Sequence, residues 1–264
     1  MPLHPWQQRI ARAQQLAREY SFANEILSFY IHIAGFQLDL HRMLERSSTR
    51  SQRVSHPGAP PELSTLLTTF PKFLQMVERH GSRPLADYAS ALLTQTPENH
   101  AELLDKFWTE QSSSDSLAEF TARAFLQPYA EFVRALSGLA FENDSQALCP
   151  FCGREPGFGV LRPLGDGGKR FLVCALCLAE WPFRRIVCAG CGEEDHSKLP
   201  VYTAERLVHL RVECCDTCGR YLKTVDLTKD GLAVPLVDEM AAIPLDLWAQ
   251  ERGYSKLKAN LMQI

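Results

Sequence analysis

Four CysxxCys pairs decide the fold of this chain: Cys149-Pro-Phe-Cys152, Cys174-Ala-Leu-Cys177, Cys188-Ala-Gly-Cys191 and Cys215-Asp-Thr-Cys218. The first two pairs enclose 21 residues (153–173) and the last two enclose 23 (192–214), so the segment is an internal repeat. Two cysteines three positions apart on a tight turn bring both sulfurs to one ion, and a second turn completes a tetrahedron with metal–sulfur distances of about 2.3 Å. The spacing therefore predicts two four-cysteine metal sites.

Each half of the repeat resembles a zinc ribbon or rubredoxin-like module. Three pairs are followed by Gly153, Gly192 and Gly219, which suit a tight reversal with backbone N–H groups aimed at the sulfurs. An all-thiolate tetrahedron accepts zinc or iron and has no open coordination position, which disfavours hydrolytic metal catalysis. We expect structural sites, with a redox role for iron and dithiol–disulfide exchange as weaker alternatives.

The spacing leaves the grouping of the pairs open. We expect consecutive pairs to share an ion, while a cross-braced arrangement joins the first pair to the third and the second to the fourth. Cys214 is the ninth cysteine and directly precedes Cys215. Because side chains alternate along a strand, we expect Cys214 to be a buried, inert thiol rather than a ligand.

The composition is that of a globular protein with one or two domains. The 264 residues are 45% hydrophobic, and 28 Lys and Arg stand against 31 Asp and Glu. Between Cys149 and Lys223 eleven basic residues face nine acidic ones, and two zinc cages would add further negative charge. Nucleic acid is therefore disfavoured as a partner. Six basic residues are expected to offset the thiolate charge: Arg154, Lys169, Arg170, Arg184, Arg185 and Arg220.

The sequence also favours a cytoplasmic protein without a membrane span. No apolar run approaches the roughly 20 residues of a membrane helix. The polar start of the chain, 1–13, lacks the pattern of a secretory signal. In a reducing compartment, nine cysteines are better interpreted as metal ligands than as a disulfide framework.

The part before Cys149 has helical periodicity. Apolar residues recur near the 3.6 spacing from Phe22 to Leu40, and further helices are predicted over 61–79, 84–95, 97–111 and 116–140, with a loop over 47–61. One face of the last helix is predicted to pack in the core through Phe125, Tyr129, Phe132, Leu136 and Leu139. The histidines of this part show no ligand spacing, and we assign them no chemistry.

Beyond Cys149 the hydrophobic period shortens. Strands are predicted over 171–173, 185–187, 208–212 and 221–225, and a last helix over 244–252. The predicted fold class is α+β, with an all-α helical domain (1–145), tandem four-cysteine modules (146–187 and 188–230) and a C-terminal tail with a short helix (231–264).

Several motifs resemble the FdhE family of formate dehydrogenase accessory proteins. They are the four cysteine pairs, the stretch Tyr221-Leu-Lys-Thr-Val-Asp226, and the tail from Asp238-Glu239 through Leu245-Asp246-Leu-Trp248-Ala249 to Gly253-Tyr254. The resemblance implies a cytoplasmic, non-enzymatic maturation factor that binds the catalytic subunit of formate dehydrogenase before export and is required for its activity. It also implies rubredoxin-like sites that favour iron, with zinc as the alternative. The implied metal ligands are Cys149, Cys152, Cys174, Cys177, Cys188, Cys191, Cys215 and Cys218.

Two surfaces are candidates for binding a client. The first is the tail over 232–254, with Asp238, Glu239 and Trp248 as candidate contacts, although packing of the tail on the protein's own metal module is the favoured alternative. The second is the cleft between the helical domain and the metal module. No catalytic triad or phosphate loop is evident, which disfavours an enzyme. The alternative functions are a zinc-ribbon nucleic-acid-binding or transcription-related protein and a rubredoxin-like electron carrier.

Overall fold

The computed structural model describes residues 3–47, 66–110, 115–142, 145–165 and 167–263. Within these ranges no helix has both the length and the apolarity needed to cross a membrane. Residues 48–65 hold most of the predicted loop and the start of the helix predicted over 61–79, and they lie outside the described ranges. The fold class is α+β, as the sequence predicts.

The described elements before Cys149 are helical. They are α1 (Pro5–Glu19), a 3-10 turn (Ser21–Ala23), α2 (Asn24–Ser47), α3 (Phe70–His80), α4 (Arg83–Leu93), α5 (Pro97–Glu110) and α6 (Ser116–Ser137). Asp115 caps α6 by accepting from the backbone N–H groups of Leu117 and Ala118. Gly138 ends α6 in the left-handed region, where a residue without a Cβ is favoured.

Aromatic side chains form the centre of the helical core. Phe125 on α6 lies 4.8 Å from Phe70 and 5.6 Å from Phe73, measured between ring centroids, and all three are fully buried. The predicted stripe continues into partly buried Tyr129 and Phe132. Its last two members, Leu136 and Leu139, are exposed, because they lie at and beyond the end of α6 at Ser137. That part of the core prediction was wrong.

After Cys149 the chain forms one sheet. Its strands are β1 (Pro156–Leu164), β2 (Gly167–Cys174), β3 (Glu180–Pro182), β4 (Val201–Thr203), β5 (Leu210–Cys215), β6 (Arg220–Asp226) and β7 (Ser255–Lys256). The order is β3-β2-β1-β6-β5-β4, with β7 beside β6. Each cysteine module supplies one antiparallel half, and the halves meet at the parallel pair of β1 and β6.

Close approach at the junction of the halves requires a glycine. Gly159 of β1 lies beside Thr224 of β6, and a Cβ placed on Gly159 would lie 2.3 Å from the Thr224 hydroxyl oxygen. A larger residue at 159 would push the two strands apart. The two modules are therefore joined in one sheet through the contact of Gly159 in the first module with Thr224 in the second.

Two helices of the tail, α7 (Pro235–Ala241) and α8 (Ile243–Glu251), lie against this sheet. The sequence predicts α8 within one residue at each end but misses α7. It also misses α1, whose buried face includes small or polar residues such as Ala13 and Arg12. The strand predicted over 185–187 was wrong: these residues form a bend leading into the Cys188 turn.

Candidate metal centres

The first four-cysteine site closes around the hairpin of β1 and β2. Cys149 and Cys152 precede β1, while Cys174 ends β2 and Cys177 follows in the next turn. The sulfur of Cys149 lies 3.6 Å from that of Cys177, and the sulfur of Cys152 lies 3.4 Å from that of Cys174. All four sulfurs lie within 4.8 Å of one another.

The second site repeats this arrangement around β5 and β6. Cys215 ends β5, Cys218 lies in the turn before β6, and Cys188 and Cys191 follow the bend after β3. The sulfurs of Cys188 and Cys218 are 3.8 Å apart, and those of Cys191 and Cys215 are 3.6 Å apart. The pairs are thus grouped consecutively, and the cross-braced alternative is wrong.

All four turns reverse the chain in the same way. Gly153, Gly192 and Gly219 have positive φ angles, and the N–H of each donates to the carbonyl of the first cysteine of its pair. Leu178, which follows Cys177, is also in the left-handed region with φ of 50°. The pair without a following glycine therefore has the same turn geometry. There the side chain of Leu178 adds backbone strain, because residues with a Cβ rarely adopt a positive φ.

The sulfur spacing fits a bound ion and excludes a disulfide. A tetrahedron with metal–sulfur bonds of about 2.3 Å has edges of about 3.8 Å, close to the observed separations. A disulfide requires a sulfur–sulfur distance of about 2.05 Å. Backbone N–H groups also point at sulfur, from Leu176 to Cys174 at 3.4 Å and from Gly190 to Cys188 at 3.3 Å.

The close packing of the four thiols shifts their pKa values in opposite directions. Hydrogen bonds to the Cys152 sulfur, chiefly from Cys149, hold the pKa of Cys152 below its ordinary value. Burial raises the pKa of Cys174 well above it. Four thiolates in this volume repel one another, so full deprotonation requires a cation among them.

Comparisons with known proteins agree with this architecture. The model "FdhE, central domain" matches residues 148–185, and the model "FdhE, C-terminal domain" matches 186–263. The crystal structure of the FdhE protein from Pseudomonas aeruginosa is similar over 98% of this chain and 95% of its own, with a TM-score of 0.71 and 25% identity. The chain belongs to the FdhE family.

Similarity to FdhE proteins extends into the helical half. The FdhE homologue of Aquifex aeolicus is 29% identical over 269 residues, which cover 95% of this chain and 93% of that protein. A homologue from Pseudomonas aeruginosa is 36% identical over 154 residues, covering 56% of this chain and half of its own length. The boundary between the two family domains, at 185/186, lies in the bend that separates the two cysteine sites.

Arg123 is a feature of this FdhE chain that sequence reasoning missed. It projects from α6 and is fully buried beside the first site. Its guanidinium donates to the carbonyl of Ala175, inside the second turn of that site, at 2.9 Å, and to the carbonyls of Ala259 and Asn260 at 2.7 and 3.0 Å. Burial lowers the pKa of Arg123 to about 10, so it stays charged at neutral pH.

Arg154 makes a second link from the first site to the helices. It follows the Cys149 turn and donates to the carbonyl of Phe107 on α5 at 2.6 Å, with its guanidinium over the Phe107 ring. Burial lowers its pKa, and the thiolates of Cys152 and Cys174 oppose that effect. Of the six basic residues expected to offset thiolate charge, Arg154 does so at the first site.

Cys214 lies outside both sulfur groups and is buried, as predicted. Burial raises the pKa of its thiol to about 12, which leaves it protonated and a weak nucleophile.

The tail packs on the protein's own sheet. Asp238 is 1% exposed and pairs with Arg12 at 2.6 Å and His209 at 2.9 Å. Glu239 is fully buried between Lys223 and Lys256, at 3.1 and 2.6 Å. These two carboxylates are therefore unavailable to a partner in this fold. Trp248, the third candidate contact, stays partly exposed beside Tyr202 on β4.

Proposed function

We propose that this chain is an assembly chaperone for formate dehydrogenase: it binds the catalytic subunit in the cytoplasm before export and is required for its activity. The chain acts as a binding protein rather than as an enzyme. The observation that supports this most is the pair of closed four-cysteine cages in a chain of the FdhE family.

In this proposal the eight grouped cysteines hold two metal ions, iron by family resemblance or zinc. Four thiolates around each ion leave no position for a substrate water, so the ions stabilise the fold or report its redox state rather than hydrolyse a bond. The sulfur separations of 3.4–3.8 Å support this assignment.

The charge distribution favours a protein client over nucleic acid. Two arginines of the metal modules are neutralised within the chain: Arg170 pairs with Glu213 and Arg184 with Glu194, both at 2.5 Å. Phosphate binding needs basic side chains that are free to release counterions. These paired arginines do not provide them.

Co-purification tests the proposal. The tagged full chain, isolated anaerobically from a cytoplasmic extract, is expected to retain the catalytic subunit of formate dehydrogenase and to carry two metal ions by elemental analysis. Recovery of nucleic acid without that subunit would instead support the transcription-related alternative. A reversible visible thiolate-to-iron band is required for the electron-carrier alternative, and a colourless zinc form rules that alternative out.

Genetic complementation tests the requirement for activity. Cells that lack this chain are expected to lose formate dehydrogenase activity and to regain it with the wild-type chain. The Cys214→Ala variant should restore activity equally well, because Cys214 lies outside both cages. Full activity without the chain would contradict the proposed role.

A further inference from the structure

A cavity of about 420 Å³ opens between the two cysteine modules, beside the second site. Its apolar wall includes Val187, Leu199, Leu222 and Leu257. At the rim, Ile186 is 59% and Val201 is 53% exposed, and both continue the apolar wall to the surface. The volume lies in the range of ligand sites and accommodates one or two amino-acid side chains.

Four arginines line this cavity. Its lining includes Arg170, Arg185, Arg211 and Arg220 against a single carboxylate, Glu213. Arg170 and Arg211 both pair with Glu213 at 2.5 Å. Arg185 is exposed and has no ion-pair or hydrogen-bond partner in the part of the chain that the structure describes.

The thiolates of Cys188 and Cys215 also contribute to the wall, and a cage around a divalent ion carries two negative charges. Arg220 pairs with Glu155 at 3.6 Å, and Arg170 and Arg211 share Glu213, so Arg185 is the arginine of this lining that has no carboxylate partner among the described residues. The cavity thus offers an apolar wall with the guanidinium of Arg185 available at its rim, which is complementary to an apolar side chain next to a carboxylate.

The outer edge of the sheet, which no strand of the described ranges covers, borders the same cavity. β4 is the last strand of the sheet order, and Val201 belongs both to β4 and to the cavity wall. The N–H of Cys214 donates to the carbonyl of Pro200, and the N–H of Asp216 donates to the carbonyl of Lys198. The backbone hydrogen-bonding groups of the even-numbered residues in this segment therefore point towards β5. Hydrogen-bonded and non-bonded positions alternate in an antiparallel pair, so the backbone N–H and C=O groups of Val201 and Thr203 point outward.

Side chains on the opposite face of β4 form a second contact surface. Tyr202 packs against Trp248, with ring centroids 4.6 Å apart, and the guanidinium of Arg252 lies over the Trp248 ring. Leu247 beside them is exposed. A strand added to β4 would place alternate side chains over the arginine-lined cavity and over this aromatic pair.

We propose that an extended segment of the client adds as a strand to the outer edge of β4 and inserts an apolar and an acidic side chain into the cavity. This inference rests on the proposed function, because the client is the catalytic subunit of formate dehydrogenase. Main-chain hydrogen bonds to Val201 and Thr203 supply affinity, and the cavity supplies specificity, as in other cases of strand addition.

Substitutions at Thr203 separate backbone from side-chain binding. Thr203→Pro removes an outward N–H that β5 does not use, so the fold of the edge strand is preserved. Binding of the purified catalytic subunit is expected to weaken about tenfold. Thr203→Ala keeps that N–H and is the matched control, with binding near that of the wild-type chain. Equal metal content and melting temperature establish that the variants are folded.

Charge reversal at the rim tests the cavity. Arg185→Glu is expected to weaken binding of the same subunit about tenfold. Arg18→Glu makes the same charge change at an exposed position on α1 and should leave binding unchanged. The amide N–H groups of Val201 and Thr203 should exchange more slowly in the complex, because an added strand hydrogen-bonds to them. A contact through side chains alone would not protect these groups.

A photo-cross-linker at position 203 identifies the occupant. The expected product joins this chain to one short segment of the catalytic subunit. Cross-linking to a second copy of this chain, or unchanged binding by both Thr203→Pro and Arg185→Glu, overturns the docking site but leaves the proposed function in place. If the wild-type chain does not bind the subunit at all, both proposals fail.

Discussion

The two four-cysteine sites have nearly the same ligand geometry but lie in different surroundings. In the first site Cys149, Cys174 and Cys177 are buried, and Arg123 and Arg154 connect the turns to the helices. In the second site Cys191 is exposed and Cys188 and Cys218 are only partly buried. The same sequence motif therefore has two structural roles: the first site is part of the main core, and the second stabilises a more exposed region next to the outer sheet edge at β4.

Loss of a ligand should therefore have unequal effects at the two sites. Cys174→Ala is expected to release the first ion and to cost about 4 kcal/mol or more of the free energy of unfolding, because it removes a metal together with core packing. Cys191→Ala should release the second ion at a smaller cost, since its side chain is exposed. Native mass spectrometry counts the ions, and denaturant unfolding measures the stabilities.

Amide exchange in the Cys174→Ala variant also tests the predicted domain boundary after residue 145. We expect α6 to lose protection along with β1 and β2, because Arg123 joins α6 to the Ala175 turn. Equal destabilisation by the two cysteine variants would contradict the contrast between the sites. Unchanged protection of α6 would instead favour a helical domain that is independent of the first site.

The second largest effect is expected from the guanidinium that joins the first site to the tail. Arg123→Gln leaves the buried carbonyl groups of Ala175 and Asn260 and the partly buried carbonyl of Ala259 without this donor. An unsatisfied buried acceptor costs about 1–3 kcal/mol, and we expect a total loss of about 3 kcal/mol in the unfolding free energy.

Arg134→Gln, on the same helix, is the matched control for Arg123→Gln, because the partly buried guanidinium of Arg134 makes no hydrogen bond to another described residue. Denaturant titration of both variants measures the difference. If Arg123→Gln lowers the unfolding free energy no more than Arg134→Gln does, the carbonyls of Ala175, Ala259 and Asn260 find other donors.

The sequence predicts local features of the sites and misses those that depend on distant partners. The CysxxCys spacing identifies all eight grouped cysteines, because each turn is built from a few consecutive residues. Strand β1 escapes detection because Gly157, Gly159 and Pro163 are unfavourable in a strand pattern. Gly157 lies against Ala175 and Gly159 against Thr224 of β6, and both partners are distant in sequence. Arg123 has no local signature, because its acceptor at Ala175 is 52 positions away.

Acid should weaken the tail through a buried pair of lysines and carboxylates. Burial by itself raises the pKa of Glu239, but Lys223 and Lys256 outweigh burial and lower it from 4.5 to about 2. A depressed carboxyl pKa stabilises the fold above the unfolded value, and this contribution is lost as the pH falls from 4.5 towards 2.

Because thiolates also gain protons in acid, the contribution of Glu239 has to be isolated with a variant. Glu239→Gln cannot titrate, so its stability should fall less steeply than that of the wild-type chain over this range. Denaturant unfolding at a series of pH values, with metal content followed in parallel, measures both slopes. Identical slopes would show that proton uptake by the cages accounts for the whole effect.

The smallest effect is expected at Cys214, the cysteine next to a proposed ligand. Its thiol is buried, lies outside both sulfur groups and has a pKa raised to about 12. Cys214→Ala removes one sulfur atom from a packed site and should cost about 1 kcal/mol. Both ions should be retained in native mass spectrometry, in contrast to Cys215→Ala one position away. Loss of an ion from the Cys214→Ala variant would mean that Cys214 can replace a ligand of the second site. The two sites would then differ in whether their ligands are fixed as well as in their exposure.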